Sequence, residues 1–188
     1  MDFVKIRVYY DFASTLCYVA HRVITRVQNE ITAEGIELEW RPVDLTMAAP
    51  WDRGDSFNDE VRESVRETAL SLGVDIEMPD PWLDSRPASE IALATVNLKD
   101  EARWRSAVFD TFFEAKTPRL TPQLRERAGE RAPPDVLAAA PQMYGRVELS
   151  TEEAMALGVT GVPTFLLDNW VFGGVYDDES MVAALTQL

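Results

Sequence analysis

A change of periodicity within residues 3–43 constrains the fold of this chain more than any other feature. Apolar residues alternate from Phe3 to Tyr10, as in a strand with one buried face. They then recur at helical spacing from Leu16 to Ile31, and alternation resumes from Ile36 to Val43. The stretch between the two strands is long enough for a crossover helix, so the pattern predicts a β-α-β unit with parallel strands.

The end of the chain shows a second alternation of helix and strand. A short helix is predicted at Thr151–Leu157, with acidic residues at its start. Two short strands at 163–167 and 170–172 flank the turn signal Asp168-Asn169, which predicts an antiparallel hairpin. A closing helix is predicted at 178–188.

Between these two α/β segments the apolar spacing is helical. Longer helices are predicted at Phe57–Leu72, Ala88–Leu98 and Trp104–Phe113, and shorter ones at Pro122–Ala128 and Pro134–Ala140.

We therefore predict one α/β domain with a thioredoxin fold and an all-helical insertion subdomain. The thioredoxin part comprises about 1–45 and 150–188, and the insertion about 46–149. An insertion between the second strand and the later segment must leave and return on neighbouring edges. It should therefore pack over the first strand-to-helix corner and leave a cleft there.

Composition excludes several classes of function. With 18 basic and 32 acidic residues, the net charge of −14 argues against binding to nucleic acid or to anionic membranes. No apolar run reaches the roughly 18 residues of a membrane span, and the N-terminus lacks a signal-peptide pattern, so we expect a cytoplasmic protein. One cysteine and one histidine can form neither an intramolecular disulfide nor the usual zinc ligand set.

Several segments resemble the DsbA-like thioredoxin superfamily. The most specific is Gly158–Phe165, which resembles the family's cis-proline loop, and Tyr10–Tyr18 resembles its strand-to-helix corner. Ser85–Ala88 and Phe109–Phe113 resemble the insertion of FrnE-type oxidoreductases. The same superfamily includes the kappa-class glutathione transferases and the 2-hydroxychromene-2-carboxylate isomerases.

Two residues at the corner depart from the oxidoreductase pattern. Ser14 occupies the position of the nucleophilic cysteine, and Thr15 replaces the usual proline. A serine before a helix is a good N-cap, and the helix start also favours a thiolate. The kappa-class resemblance implies that Ser14 donates a hydrogen bond to the sulfur of a bound thiol, and the two roles are compatible.

Cys17 has two interpretations. The resemblance places it at the resolving thiol, where it would be an accessory catalytic group, whereas a lone cysteine is equally often a small buried apolar residue. It cannot complete a dithiol exchange, since the mixed intermediate needs a second thiol. His21 follows one turn later and is expected at the surface or partly buried rather than in catalysis.

Further binding residues follow from the resemblance. A cis bond between Val162 and Pro163 would present the Val162 backbone to a peptide or to glutathione. Thr151 and Glu152, at the predicted helix start, would hold a γ-glutamyl group through free N–H groups and an acid. Most large aromatic residues of the middle segment are expected in the core, and some in the cleft: Trp51, Phe57, Trp82 and Trp104.

The predicted function is thiol-dependent transfer, isomerisation or exchange on a small thiol or thiol peptide. No permanently bound cofactor is expected, and glutathione or another low-molecular-weight thiol is the expected ligand. The alternative is a redox-silent binding module that keeps the groove without turnover. A monomer and a homodimer are both compatible with the sequence.

Overall fold

Two parallel strands and the helix between them form the first part of the structure. The computed structural model describes residues 3–47, 55–80, 82, 84–95, 101–113 and 134–187. Strand β1 is Val4–Tyr10, helix α1 is Thr15–Ala33 and strand β2 is Ile36–Pro42. The two strands pair in parallel along their whole length, so the predicted β-α-β unit is confirmed.

Local chemistry explains where α1 begins and ends. Ser14 is the N-cap, and its Oγ accepts a hydrogen bond from the Cys17 N–H at 3.3 Å. Gly35 follows the helix at φ +78°, a left-handed conformation that glycine adopts without a steric penalty.

Strands β3, Thr164–Leu167, and β4, Trp170–Gly173, complete a four-stranded sheet of order β2-β1-β3-β4. β3 is antiparallel to both β1 and β4, which confirms the predicted hairpin. Asp168 makes the turn between them at φ 50°, a conformation that aspartate tolerates better than most residues.

The remaining described helices lie between β2 and β3, apart from one that closes the chain. Those before β3 are α2 Asp59–Ser71, α3 Arg86–Thr95, α4 Glu101–Phe113, α5 Pro134–Ala139 and α6 Tyr144–Ala156, with short 3₁₀ turns at Leu45–Met47 and Ala140–Met143. Helix α7, Asp178–Thr186, closes the chain. The expected helix at 122–128 lies outside the described residues.

The start predicted for the helix before the cis-proline loop is wrong. α6 begins at Tyr144 rather than Thr151, and it crosses the predicted insertion boundary near 149. The Thr151 Oγ1 donates to the Val147 carbonyl at 2.8 Å, one turn earlier in the same helix. A threonine that bonds back in this way lies inside a helix, although its residue type also suits a helix start.

An aromatic cluster joins the insertion to the sheet side of the fold. Phe12, in the corner before α1, packs on Phe109 of α4 with ring centroids 4.8 Å apart. Tyr18 of α1 stacks on Phe113 of α4 at 5.0 Å. All four side chains are buried, so α4 holds the corner at the start of α1 in place.

Among the described helices, none has both the length and the apolar character needed to cross a membrane.

Candidate functional site

A cleft of about 320 Å³ opens where the corner before α1, the insertion and the loop before β3 meet. Its walls come from all three segments and are mostly apolar. The lining residues are Ala13, Ser14, Thr15, Leu16, Leu45, Phe57, Val61, Val65, Met78, Trp82, Thr160, Gly161 and Val162. None of these side chains is charged, and the insertion borders the Ser14 corner as expected.

Ser14 lies at the end of α1 that favours an anion. The first N–H groups of a helix have no partner inside it, and Thr15 and Leu16 of this first turn are among the residues that line the cleft. The first turn of α1 carries no acidic residue that would neutralise the positive end of the helix dipole. A negative sulfur beside Ser14 would therefore meet a hydroxyl and a favourable field.

The loop before β3 forms the wall opposite this helix end. Its Val162–Pro163 peptide bond is cis, and Val162 is half-buried in the cleft lining. The Gly174 N–H donates to the Pro163 carbonyl at 3.2 Å, and the Thr164 hydroxyl donates to the Gly161 carbonyl at 2.7 Å. These bonds hold the loop against the hairpin, so Val162 has a fixed position in the cleft wall.

Asp11 organises the corner, and the sequence analysis missed it. Its buried carboxylate accepts the Ala13 and Leu45 N–H groups, both at 2.8 Å, and the Ser85 hydroxyl. Burial raises the pKa of Asp11 to about 6, and the three hydrogen bonds act in the opposite direction. An aspartate directly after a buried strand and before a helix cap was the available signal.

A second polar network ties the insertion to the end of β2. The Asp44 carboxylate accepts Arg86 Nε at 3.1 Å and Nη2 at 2.9 Å, and Arg86 Nη1 donates to the Tyr144 hydroxyl at 3.0 Å. The Asp44 N–H donates to Thr151 Oγ1 at 2.9 Å. Asp44 is buried and its bonds reach α3 and α6, so this network fixes how the insertion sits over the sheet.

The role expected for Thr151 therefore needs correction. Its backbone lies within α6 and its hydroxyl is buried against Asp44 and Val147, so it offers no free N–H to a ligand. Glu152 is exposed and is not among the residues that line the cleft. A contact of Glu152 with a γ-glutamyl group stays a prediction.

Cys17 lies on the buried side of α1. Its side chain is fully buried, and burial raises the pKa of the thiol to about 12 despite opposing hydrogen bonds from the Ser14 side chain and the Asp11 backbone. It is absent from the cleft lining. Of the two interpretations of Cys17, this geometry favours the small buried apolar residue.

His21 is buried rather than at the surface or partly buried, which corrects the expectation for it. Its ring stacks on Phe109 at 5.1 Å and meets Trp40 edge-on at 5.6 Å. Among the described residues, neither ring nitrogen has a hydrogen-bond partner. Burial, helped by the charges of Arg105 and Arg22, lowers the pKa of His21 to about 3, so the ring is neutral.

The large aromatic residues divide between the cleft and the core. Phe57 and Trp82 line the cleft. Trp104 is buried and meets Phe12 edge-on at 5.9 Å in the core. Trp51 lies outside the described residues. Within the described ranges, no group of three or more potential His, Cys, Asp or Glu ligands could hold a metal ion.

The fold and the site together define the class of protein: it is a thioredoxin-fold protein with a helical insertion and a cleft at the start of α1. The model of the DSBA-like thioredoxin domain matches residues 5–185, so the chain belongs to this family. No curated protein matches the chain. The family match and the solved structures below confirm the predicted family and fold.

Three solved structures illustrate the range of the fold. A probable DsbA oxidoreductase from Streptomyces coelicolor is 21% identical, with a TM-score of 0.73 over 97% of this chain and 88% of that one. A 2-hydroxychromene-2-carboxylate isomerase is 18% identical, with a TM-score of 0.68 over 97% of this chain and 93% of that one. The cytosolic disulfide reductase DsbM from Pseudomonas aeruginosa, solved with GSH, is 18% identical, with a TM-score of 0.65 over 97% of this chain and 98% of that one. The fold therefore carries both oxidoreductases and an isomerase.

Proposed function

We propose that this protein binds glutathione or another low-molecular-weight thiol, as the thiolate, beside Ser14. The bound thiol would then serve in transfer to, or isomerisation of, a second substrate in the cleft. The observation that carries this proposal is the place of Ser14, which caps α1 and lines the same cleft as Val162. The protein would not act as a dithiol oxidase or reductase.

Energetics support a thiolate at this position. A hydrogen bond to a charged group contributes about 1.5–3 kcal/mol, and a helix N-terminus about 0.3–1 kcal/mol. Only the part of this interaction free energy that favours the thiolate over the thiol lowers the pKa of the bound thiol. One pKa unit corresponds to about 1.36 kcal/mol. The two interactions together would lower the pKa of a bound thiol by about one to two units. A thiol of ordinary pKa near 8.5 would then be roughly one-quarter to three-quarters ionised at pH 7.

Glutathione is the first thiol to test because it is an extended peptide. A peptide could align with the backbone of the loop at Val162, as a ligand adds to a strand edge. The similar fold of DsbM, which was solved with GSH, supports the same choice.

The chain has a single sulfur for thiol exchange, and it is buried. Reduction of a disulfide transfers two electrons, and a dithiol enzyme forms its own disulfide as it releases the product. Cys17 alone could form only a mixed disulfide, which an external thiol would have to resolve. The buried Cys17 is also the observation that favours the alternative function, a redox-silent binding module.

Calorimetric titration with glutathione between pH 6 and 9 tests the proposal. Ser14→Ala should bind glutathione about tenfold more weakly than wild type at neutral pH, because it loses the bond to the thiolate. The pKa of the bound thiol should rise by about one to two units. S-methylglutathione, which has no ionisable thiol, should bind both proteins equally.

Ser14→Gly is the matched control for capping. Glycine is an acceptable N-cap that costs only a few tenths of a kcal/mol, whereas alanine costs about 0.5–2 kcal/mol. Ser14→Gly should therefore lose affinity like Ser14→Ala while it keeps most of the stability. Unchanged affinity in both variants would assign Ser14 to capping alone and contradict the proposal. If the wild type binds no small thiol, the redox-silent module is the better interpretation.

A further inference from the structure

We propose that Asp11 is a positioning residue of the thiol site, and that it holds Ser14 in place only while its carboxylate is ionised. This role deepens the proposed function and rests on it where the affinity for a ligand is concerned. The effect of Asp11 on the corner before α1 can be measured without a ligand.

Both oxygens of the buried Asp11 carboxylate accept hydrogen bonds from the backbone of the cleft lining. Oδ1 accepts the Ala13 N–H and Oδ2 accepts the Leu45 N–H, each at 2.8 Å. Ala13 and Leu45 both line the cleft, one directly before Ser14 and the other three residues after β2. The carboxylate therefore joins two parts of the lining that come from different segments of the chain.

The same aspartate also sets the turn that carries Ser14. The bond from the Ala13 N–H to the Asp11 side chain closes an Asx turn, and the Ser14 N–H donates to the Asp11 carbonyl at 3.1 Å. The Ser14 Oγ in turn accepts the Cys17 N–H at 3.3 Å. A change at the Asp11 carboxylate should therefore change the turn, and the Cys17 N–H should report the new position of Ser14.

Two bonds from the insertion reach this turn. The Ser85 hydroxyl, directly before α3, donates to Oδ1 of Asp11. The Trp82 Nε1 donates to the Ala13 carbonyl at 3.1 Å, and Trp82 lines the cleft. The wall that the insertion contributes to the cleft is thus coupled to Asp11 as well.

This arrangement requires an ionised acid. An ionised carboxylate only accepts hydrogen bonds, whereas a protonated one also carries a donor. Because each oxygen of Asp11 already receives a backbone N–H, a proton on either oxygen weakens one of these bonds. An amide has the same defect, since its NH₂ group would face one of the two N–H donors.

The surroundings of Asp11 make its charge sensitive to pH. Burial raises the pKa of Asp11 to about 6, the charge of Asp44 acts in the same direction, and the three hydrogen bonds oppose both. Asp44 is itself paired with Arg86 at 2.9 Å. Burial raises the pKa of Tyr10 and Cys17, so these two neighbours are uncharged near pH 6.

Folding alone does not favour such a group. The described hydrogen-bond donors to Asp11 are two N–H groups and a hydroxyl, all neutral. A carboxylate whose pKa is raised by folding lowers the stability of the chain when it ionises. A group of this kind beside a cleft is typical of a functional site.

Hydrogen exchange of the Cys17 N–H, followed by NMR, tests the position of Ser14 without a ligand. After correction for the intrinsic pH dependence of exchange, the protection of this N–H in wild type should fall several-fold between pH 7 and pH 5, with a midpoint near pH 6. Asp11→Asn should show the lower protection at both pH values.

Ser85→Ala tests whether the charge of Asp11 sets the midpoint. It removes a hydrogen bond to the ionised carboxylate, so the pKa of Asp11 should rise and the midpoint should move up by about one pH unit. Ser89→Ala is the matched control. It removes a buried hydroxyl of α3 that has no hydrogen-bond partner among the described residues, and it should leave the midpoint unchanged. Wild type and these two variants decide the test even if Asp11→Asn fails to fold.

Calorimetric titration with S-methylglutathione measures the effect on the site. This probe has no thiol, and its amino and carboxyl groups do not titrate between pH 5 and 7. If it binds only the protein in which Asp11 is ionised, its affinity for wild type should fall about tenfold from pH 7 to pH 5. Asp11→Asn should bind it at both pH values as weakly as wild type does at pH 5.

The outcomes for Asp11 and for the proposed function are separable. Constant protection of the Cys17 N–H between pH 7 and pH 5, or a midpoint that Ser85→Ala does not move, would overturn the role of Asp11. If the protection follows the expected course while S-methylglutathione binds at no pH, Asp11 positions Ser14 and the proposed function falls. If S-methylglutathione binds with the same affinity at both pH values, the site stands and the role of Asp11 falls.

Discussion

Ser14 and Cys17 lie one helical turn apart at the start of α1, in opposite surroundings. Ser14 is half-buried and lines the cleft, whereas Cys17 is fully buried in the core. The sulfur of Cys17, which is the better nucleophile, is therefore out of reach of a ligand. The hydroxyl of Ser14, which is the weaker nucleophile, lies where a ligand can reach it. Residue type alone would place the chemistry at Cys17, whereas the proposed function places it at Ser14.

The environments explain the contrast. At Ser14 the helix N-terminus favours a negative ligand. At Cys17, burial disfavours the thiolate, and His21 further along the helix is neutral for the same reason. Burial thus disfavours the charged form of both side chains on this face of α1, and the three predictions below test each side of this contrast.

The largest expected effect is on alkylation of Cys17. A thiol with a pKa of about 12 is ionised only to about one part in ten thousand at pH 8, whereas an ordinary cysteine is ionised to tens of per cent. Iodoacetamide should therefore label the folded wild type about a thousandfold more slowly than an exposed cysteine, with rates read by mass spectrometry. Thr160→Cys places an accessible thiol in the cleft as the comparison, and the denatured wild type should react at the ordinary rate. Labelling of the folded wild type as fast as Thr160→Cys would show that the buried face is open.

The second prediction concerns His21 and acid stability. The folded chain keeps His21 neutral down to about pH 3, whereas the unfolded chain binds a proton near pH 6.5. Between these values the unfolded state holds more protons, so the free energy of unfolding falls as the pH falls. His21→Leu removes this contribution. The free energy of unfolding of the variant minus that of wild type should therefore be about 2 kcal/mol larger at pH 5 than at pH 8.

Urea denaturation of both proteins at the two pH values measures this difference. The raised pKa of Asp11 affects both proteins alike and cancels in the comparison. A stability difference that does not change between pH 8 and pH 5 would mean that His21 is reached by water in the folded state.

The smallest expected effect is a gain of redox activity in Ser14→Cys. Wild type should match a blank without enzyme in insulin reduction, because it has one thiol. Ser14→Cys provides two thiols one helical turn apart and should exceed the blank several-fold. Thr160→Cys, with a second thiol in the cleft but off α1, should stay at the blank. Wild-type activity equal to that of a dithiol enzyme would instead imply that Cys17 works with an external thiol.

Much of the fold follows from local sequence patterns. The alternating residues before and after α1 predict two strands. The connection between these strands is long enough for a crossover helix, so the strands are predicted to run parallel. The start of α6 was missed because Ser150 and Thr151 resemble a helix cap, while in the structure their side chains bond to Pro42 and Val147. Those partners can be identified only once β2 and α6 have been brought together.

The family, the order of elements and the position of Ser14 at a helix start could be predicted from the sequence, since periodicity, capping and a short motif are local. The burial of Cys17 and His21, the hold of Asp11 on the corner and the place of Trp82 in the cleft lining follow only from the packed structure. Each of these depends on contacts between segments far apart in the chain, such as Asp11 with Ser85 and Trp82 with Ala13. Burial and the resulting pKa shifts are properties of the packed molecule, so no local pattern encodes them.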